Sequence, residues 1–228
     1  MTFTPSLGAA LSRIGETQVP LSAQAAVLIG VAALAAVGIQ QFWLVTRHVG
    51  VIAHEGAHAV MGLGTGRVRR VMLNPDGTGT TYLQLPRGSA HVAAGLAGYL
   101  GPSAFGLAAA ALIAAGHIVA VLWLVLLLLV LLLVLLVRTA FGVVLILVIG
   151  GLLYLVARYA AVGAEIAVAY GVTWLLLLSG VRMVLDHGHR AADAISLARL
   201  THVSPWLWSL LWLAGTIGAL VIGGALLV

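Results

Sequence analysis

The sequence contains no cysteine and no lysine, and few charges of any kind. Without cysteine there are no disulfides and no thiolate metal ligands. Charged residues make up 7% of the chain, against roughly 25% in a soluble domain, which excludes water as the main solvent. The basic excess consists of eleven arginines against three aspartates and three glutamates. These arginines stand at the ends of apolar runs, where the positive-inside effect places them. They form no nucleic-acid footprint, and no nucleic-acid partner is expected. The first 21 residues are mildly polar, and the apolar run that follows is longer than a signal-peptide core.

What the chain has in abundance is hydrocarbon: 62% hydrophobic residues and a mean hydropathy of +1.16. Residues 118–137 carry no charge and are mostly Leu and Val, and about 20 such residues span a bilayer. The runs predict an all-α polytopic membrane protein of about six transmembrane helices, at residues 22–45, 90–115, 118–137, 141–156, 162–178 and 206–228. Trp206, Trp208 and Trp212 mark an interface at the start of the last. A shorter apolar segment, 49–63, is expected to enter the bilayer without crossing it. Residues 64–88 form a loop in which strand-like runs at 68–73 and 80–85 flank Asn74-Pro75-Asp76-Gly77, a turn signal that predicts a small β-hairpin. Residues 182–204 are the most polar stretch. The organisation is thus a polar N-terminal segment (1–21) and one integral membrane domain (22–228).

If 49–63 does not cross, Arg47, Arg67, Arg69, Arg70, Arg87, Arg138, Arg182, Arg190 and Arg199 share one side, the cytoplasm. Only Arg13 and Arg158 fall on the other. Glu165, near the start of the fifth span, is expected to be interfacial or paired with Arg158.

Within the short segment stands His54-Glu55-Gly56-Ala57-His58. Histidines at i and i+4 lie one helical turn apart on the same face, so both imidazoles can reach one metal ion. Glu55 is placed to act as general base towards water and then to return the proton to a leaving amine. A glutamate between histidines in an apolar segment is costly to bury and marks a functional site. Zinc is the expected metal, and a catalytic zinc takes three protein ligands plus an open position. The candidates for the third are Asp76, His91, Asp186, His187, His189, Asp193 and His202. Asp193 precedes an amphipathic run at 194–200, where aspartate also serves as an N-cap. Asp76, between Pro75 and Gly77, is equally a turn residue, and His187 and His189 flank Gly188 in a loop.

The segment VIAHEGAHAVMG (51–62) resembles the zinc helix of the site-2-protease family of intramembrane metalloproteases, and the chain is similar to its smaller bacterial, actinobacterial branch. Three phrases carry the likeness over residues 45–212: the zinc motif with the Gly-rich hairpin after it, Ala97-Gly98-Tyr99-Leu100-Gly101-Pro102, and Ala192-Asp193-Ala194 followed by Leu197-Ala198-Arg199-Leu200-Thr201, Pro205 and Trp208. The resemblance implies that Asp193 is the third ligand beside His54 and His58, with Glu55 catalytic and Zn2+ as cofactor. Ala192 departs from the usual serine, and Asp76 is the alternative ligand. The implied reaction is zinc-dependent cleavage of a transmembrane segment of another membrane protein, in the bacterial plasma membrane, with the active site towards the cytoplasm. Two other functions fit less of the sequence. A silent protease-like scaffold or chaperone has no need of Glu55, and a transporter would line its path with acidic groups, of which only Glu165 qualifies.

Overall fold

The computed structural model describes residues 8, 12–86 and 88–228. Arg87 and residues 1–7 and 9–11 of the N-terminal segment lie outside the described residues. Among those described, eight helices and one two-stranded sheet follow in the order α1 (Ala23–Gly38), α2 (Gln40–Thr65), β1 (Arg67–Leu73), β2 (Gly79–Gln84), α3 (Ser89–Ala114), α4 (Ile118–Leu135), α5 (Ala140–Tyr159), α6 (Val162–His187), a 3-10 turn (Gly188–Arg190), α7 (Ala192–Thr201) and α8 (Pro205–Leu227). This is the all-α polytopic architecture the hydropathy predicts. Helices α3, α4, α5, α6 (with the 3-10 turn) and α8 are each long and apolar enough to span a bilayer, while α1 and α2 qualify only as a bent pair.

The first expected span is where the structure differs most. It stops at Gly38, and the chain turns by 100° into α2. The His54–His58 motif therefore lies inside a continuous 26-residue helix rather than on a short one of its own. The cause is polar: Gln40 and Trp43 stand near the end of the apolar run and need partners. The fold supplies them at the end of α6, where Trp43 Nε1 donates to Asp186 Oδ2 (2.8 Å) and Arg182 donates to Gln40 Oε1 (3.1 Å). Arg182 and Asp186, one turn apart, pair at 2.9 Å. Thr46 Oγ1 then donates to the Ala36 carbonyl across the bend (2.9 Å), occupying an acceptor that a helix terminus leaves free. The fifth span is longer than expected for the same reason, since Arg182 and Asp186 satisfy each other within α6.

Helix α6 is the axis of the bundle and packs against α1, α2, α3, α4, α5 and α8. Helix α1 runs beside it, with Trp174 Nε1 donating to the Ala26 carbonyl (3.1 Å). One end of the bundle carries Arg13, which makes a two-pronged contact with the fully buried Glu165 in the first turn of α6. Glu165 is thus paired with Arg13 and not with Arg158, whose guanidinium lies over the Tyr159 ring. The other end collects the start of α2, the hairpin, the α4–α5 connection and α7. Helix α2 both begins and ends there: Gln40 meets Arg182, and Thr65 leads into the hairpin.

The hairpin is antiparallel, with Val68 opposite Leu83, Val71 opposite Thr81 and Leu73 opposite Gly79. A bulge between Val68 and Arg70 turns both Val68 and Val71 inward. The outer edge of β1 is fixed to the α4–α5 connection. Val71 N–H donates to the Leu136 carbonyl (2.8 Å) and Arg138 N–H to the Val71 carbonyl (3.1 Å). The Thr139 hydroxyl bonds both the N–H (3.2 Å) and the carbonyl (2.9 Å) of Leu73. Strand β2 has no strand partner on its other edge among the described residues.

Candidate metal centre

His54, Glu55 and His58 are all buried on α2, with 4% exposure for Glu55. Helical spacing places the two imidazoles on one face, and their Nε2 atoms lie 3.2 Å apart. From α7, Asp193 reaches over them with Oδ2 3.3 Å from each Nε2. Among the described residues this trio is the one His, Cys, Asp and Glu cluster with ligand atoms close enough to share an ion. Burial alone would raise the Asp193 carboxyl, but hydrogen bonds to His54 and His58 and the charge of both rings outweigh it, holding Asp193 well below the usual carboxylate range.

The donor set fits zinc. Arms of 2.0–2.1 Å meeting at the tetrahedral angle put ligand atoms about 3.3 Å apart, which is the spacing of this triangle. Two nitrogens and one oxygen are three of the four donors a catalytic zinc takes, and a cavity adjoins them. The cradle is also cut to size. Gly98 of α3 faces the imidazoles so closely that a Cβ there would lie 2.7 Å from His54 Cε1 and nearer still to His58 Nε2. One turn on, a Cβ at Gly101 would run into the Ala57 methyl. The two glycines let α3 approach α2 beside the two histidines. Tyr99, between them in sequence, sets its ring edge-on to His54 (87°, centroids 4.8 Å apart) and stacks on Trp212 of α8 (4.4 Å).

The other candidate ligands stand outside the trio. Asp76 sits in the hairpin turn, where its carboxylate accepts from Thr78 N–H (3.0 Å) and Thr78 Oγ1 (2.6 Å). Those bonds hold it below its ordinary value. His91 Nδ1 is 2.8 Å from the Pro86 carbonyl oxygen, Asp186 is engaged by Trp43 and Arg182, His189 stacks on Trp206, and His202 ends α7 in the left-handed region. His187 is exposed at the end of α6. The N-cap of α7 is Ala191, so Asp193 lies in the first turn and its carboxylate is free for the histidines.

A cavity of about 530 Å³ leads to the trio, lined by Glu55, Tyr99, the β2 residues Gly79 to Thr81 and, at the bundle end, His187 and Arg190. Gly98 is nine residues into α3, so the histidines face that helix about 14 Å along its axis from its start, at 1.5 Å per residue. The glutamate is held from the hairpin: Thr81 Oγ1 donates to Glu55 Oε2 at 2.6 Å and lies 3.2 Å from the Glu55 carbonyl oxygen. Thr81, Gly79, Gly98 and Tyr99 were not expected at the site. Strand alternation, which gives Gly79, Thr81 and Leu83 a common face, was the one signal that could have pointed to Thr81.

No curated protein and no solved structure shows significant similarity to the chain. A family model described as Peptidase M50B-like matches residues 27–223. With that match covering most of its length, the chain belongs to the Peptidase M50B-like family of site-2-protease-type metallopeptidases.

Proposed function

We propose that the protein is a zinc-dependent intramembrane endopeptidase that hydrolyses a peptide bond in or near a transmembrane segment of a membrane-protein substrate. The observation that carries this reading is the triangle of His54 Nε2, His58 Nε2 and Asp193 Oδ2, two buried histidines and a half-buried aspartate, with Glu55 beside it at the foot of one cavity. His54, His58 and Asp193 would hold the ion, which when bound supplies a Lewis acid that activates water and polarises the scissile carbonyl. Glu55 takes the proton from the attacking water on its carboxylate and delivers it to the leaving amine as the C–N bond breaks. Asp193 stays ionised and balances the charge of the site.

The remaining residues deal with the substrate. A transmembrane helix keeps its carbonyls in internal hydrogen bonds, so the segment to be cut must unwind. The free edge of β2 borders the cavity and offers backbone groups to an extended segment by strand addition. Water enters past His187 and Arg190. The arginines favour a cytoplasmic orientation. Arg47, Arg67, Arg69, Arg70, Arg138, Arg182, Arg190 and Arg199 belong to elements at the metal-site end, and Arg13 and Arg158 to the opposite end.

Glu55 is the observation against a silent scaffold, since a purely structural metal site has no use for a general base. The test is a Glu55→Gln variant. It should keep its metal and accumulate uncleaved single-span membrane proteins that co-purify with it. Turnover of such proteins by the variant at the wild-type rate would end the reading.

A further inference from the structure

We propose that Thr81 of the hairpin is a positioning residue for Glu55, so that the hairpin sets the general base; this rests on the protease reading above. Glu55 has three side-chain torsions, and its carboxylate is buried at the edge of the cavity, so its orientation depends on the protein groups packed on it. A buried carboxylate needs donors, and among the described residues Thr81 is the one side chain that gives it a hydrogen bond, at 2.6 Å on Oε2.

Two residues earlier on the same face of β2 stands Gly79. A Cβ there would lie 2.6 Å from both Glu55 Oε1 and Glu55 Cγ. The strand therefore grips the glutamate from two points, a hydroxyl on one oxygen and bare backbone against the other. Alternation puts residues i and i+2 on one face, so this grip exists only in the observed register. A slip of one residue would turn Thr81 outward.

The register is itself fixed from outside the site. Thr81 is opposite Val71, and Val71 is tied to Leu136 and Arg138 by backbone hydrogen bonds. The connection between α4 and α5 is thus linked to the carboxylate of Glu55 through β1 and β2. A substrate segment adding to the free edge of β2 would bear on the same strand that holds the base.

The test uses the full-length, zinc-loaded protein in detergent with acetohydroxamate as probe, a zinc ligand whose hydroxyl is hydrogen-bonded by a neighbouring carboxylate. Wild type, Thr81→Val, Thr81→Ser and Glu55→Gln are compared for zinc per chain and for hydroxamate affinity. A hydrogen bond to a charged group contributes roughly 1.5–3 kcal/mol, or about ten- to a hundredfold. Thr81→Val should keep its zinc and lose at least about tenfold in hydroxamate affinity, and Thr81→Ser should recover most of it. Thr81→Val binding the probe as wild type does would overturn the proposal, and so would loss of zinc together with probe binding. If wild-type protein holds zinc but binds no hydroxamate, the protease reading fails instead. The link is then decided by a double-mutant cycle of Thr81→Val and Glu55→Gln on thermal unfolding, where additive effects would refute it.

Discussion

Gly98 and His58 stand face to face across the α3–α2 interface, with no room between them for a methyl group. The closeness matters because the imidazole edge that Gly98 faces is the edge that would bind metal. In Gly98→Ala the methyl meets only the tips of two side chains, which can tilt aside. Thermal stability should change little, while zinc affinity should fall by roughly ten- to a hundredfold, the usual effect of disturbing the groups that orient metal ligands. Metal content after dialysis against a competing chelator reads the difference.

Gly101→Ala should behave in the opposite way. Its methyl meets Ala57 close to the α2 backbone, so the helices must separate. Overpacking of this kind costs about 1–3 kcal/mol. Thermal unfolding in detergent should show a clear loss of stability, with loosening of the metal site as a consequence.

At the far end of the bundle, Glu165 is fully buried and held by Arg13. It also sits in the first turn of α6, where the helix dipole favours a negative charge. Arg13→Ala leaves that carboxylate without its partner and should cost roughly 3–5 kcal/mol. The double variant Arg13→Ala, Glu165→Gln should be milder, and Arg158→Ala should be close to neutral. Unfolding midpoints of the three variants separate these cases.

The orientation can be mapped directly because the natural chain has no cysteine. Single cysteines at Arg138 and Arg199 should react with a membrane-impermeant thiol reagent only from the cytoplasmic side. A cysteine at Ala160 should react only from the opposite side. The reverse pattern would invert the proposed topology while leaving the site intact.

The apolar runs revealed the helices because lipid-facing segments must be uniformly apolar. The i, i+4 histidines were visible because their geometry is local to one helix. Asp193 is separated from His58 by 135 residues, and its place beside the histidines came from resemblance, not from spacing. The bend at Ile39 was hidden because hydropathy averages over Gln40 and Trp43, whose partners Arg182 and Asp186 are far along the chain. Glu165 invited pairing with the nearby Arg158, and Arg13 was too distant in sequence to be favoured. Thr81 and Gly98 act only through contacts between elements, and neither residue type announces itself.

The central claim is that His54, His58 and Asp193 hold one zinc ion. The most direct test is the zinc content of detergent-purified wild type, His54→Ala, Asp193→Ala and Asp76→Ala. The account predicts about one zinc per chain, as a single closed set of three ligands requires, lost in the first two variants and retained in Asp76→Ala. Zinc retained without Asp193 but lost without Asp76 would contradict it, and so would wild-type protein that takes up no zinc on loading.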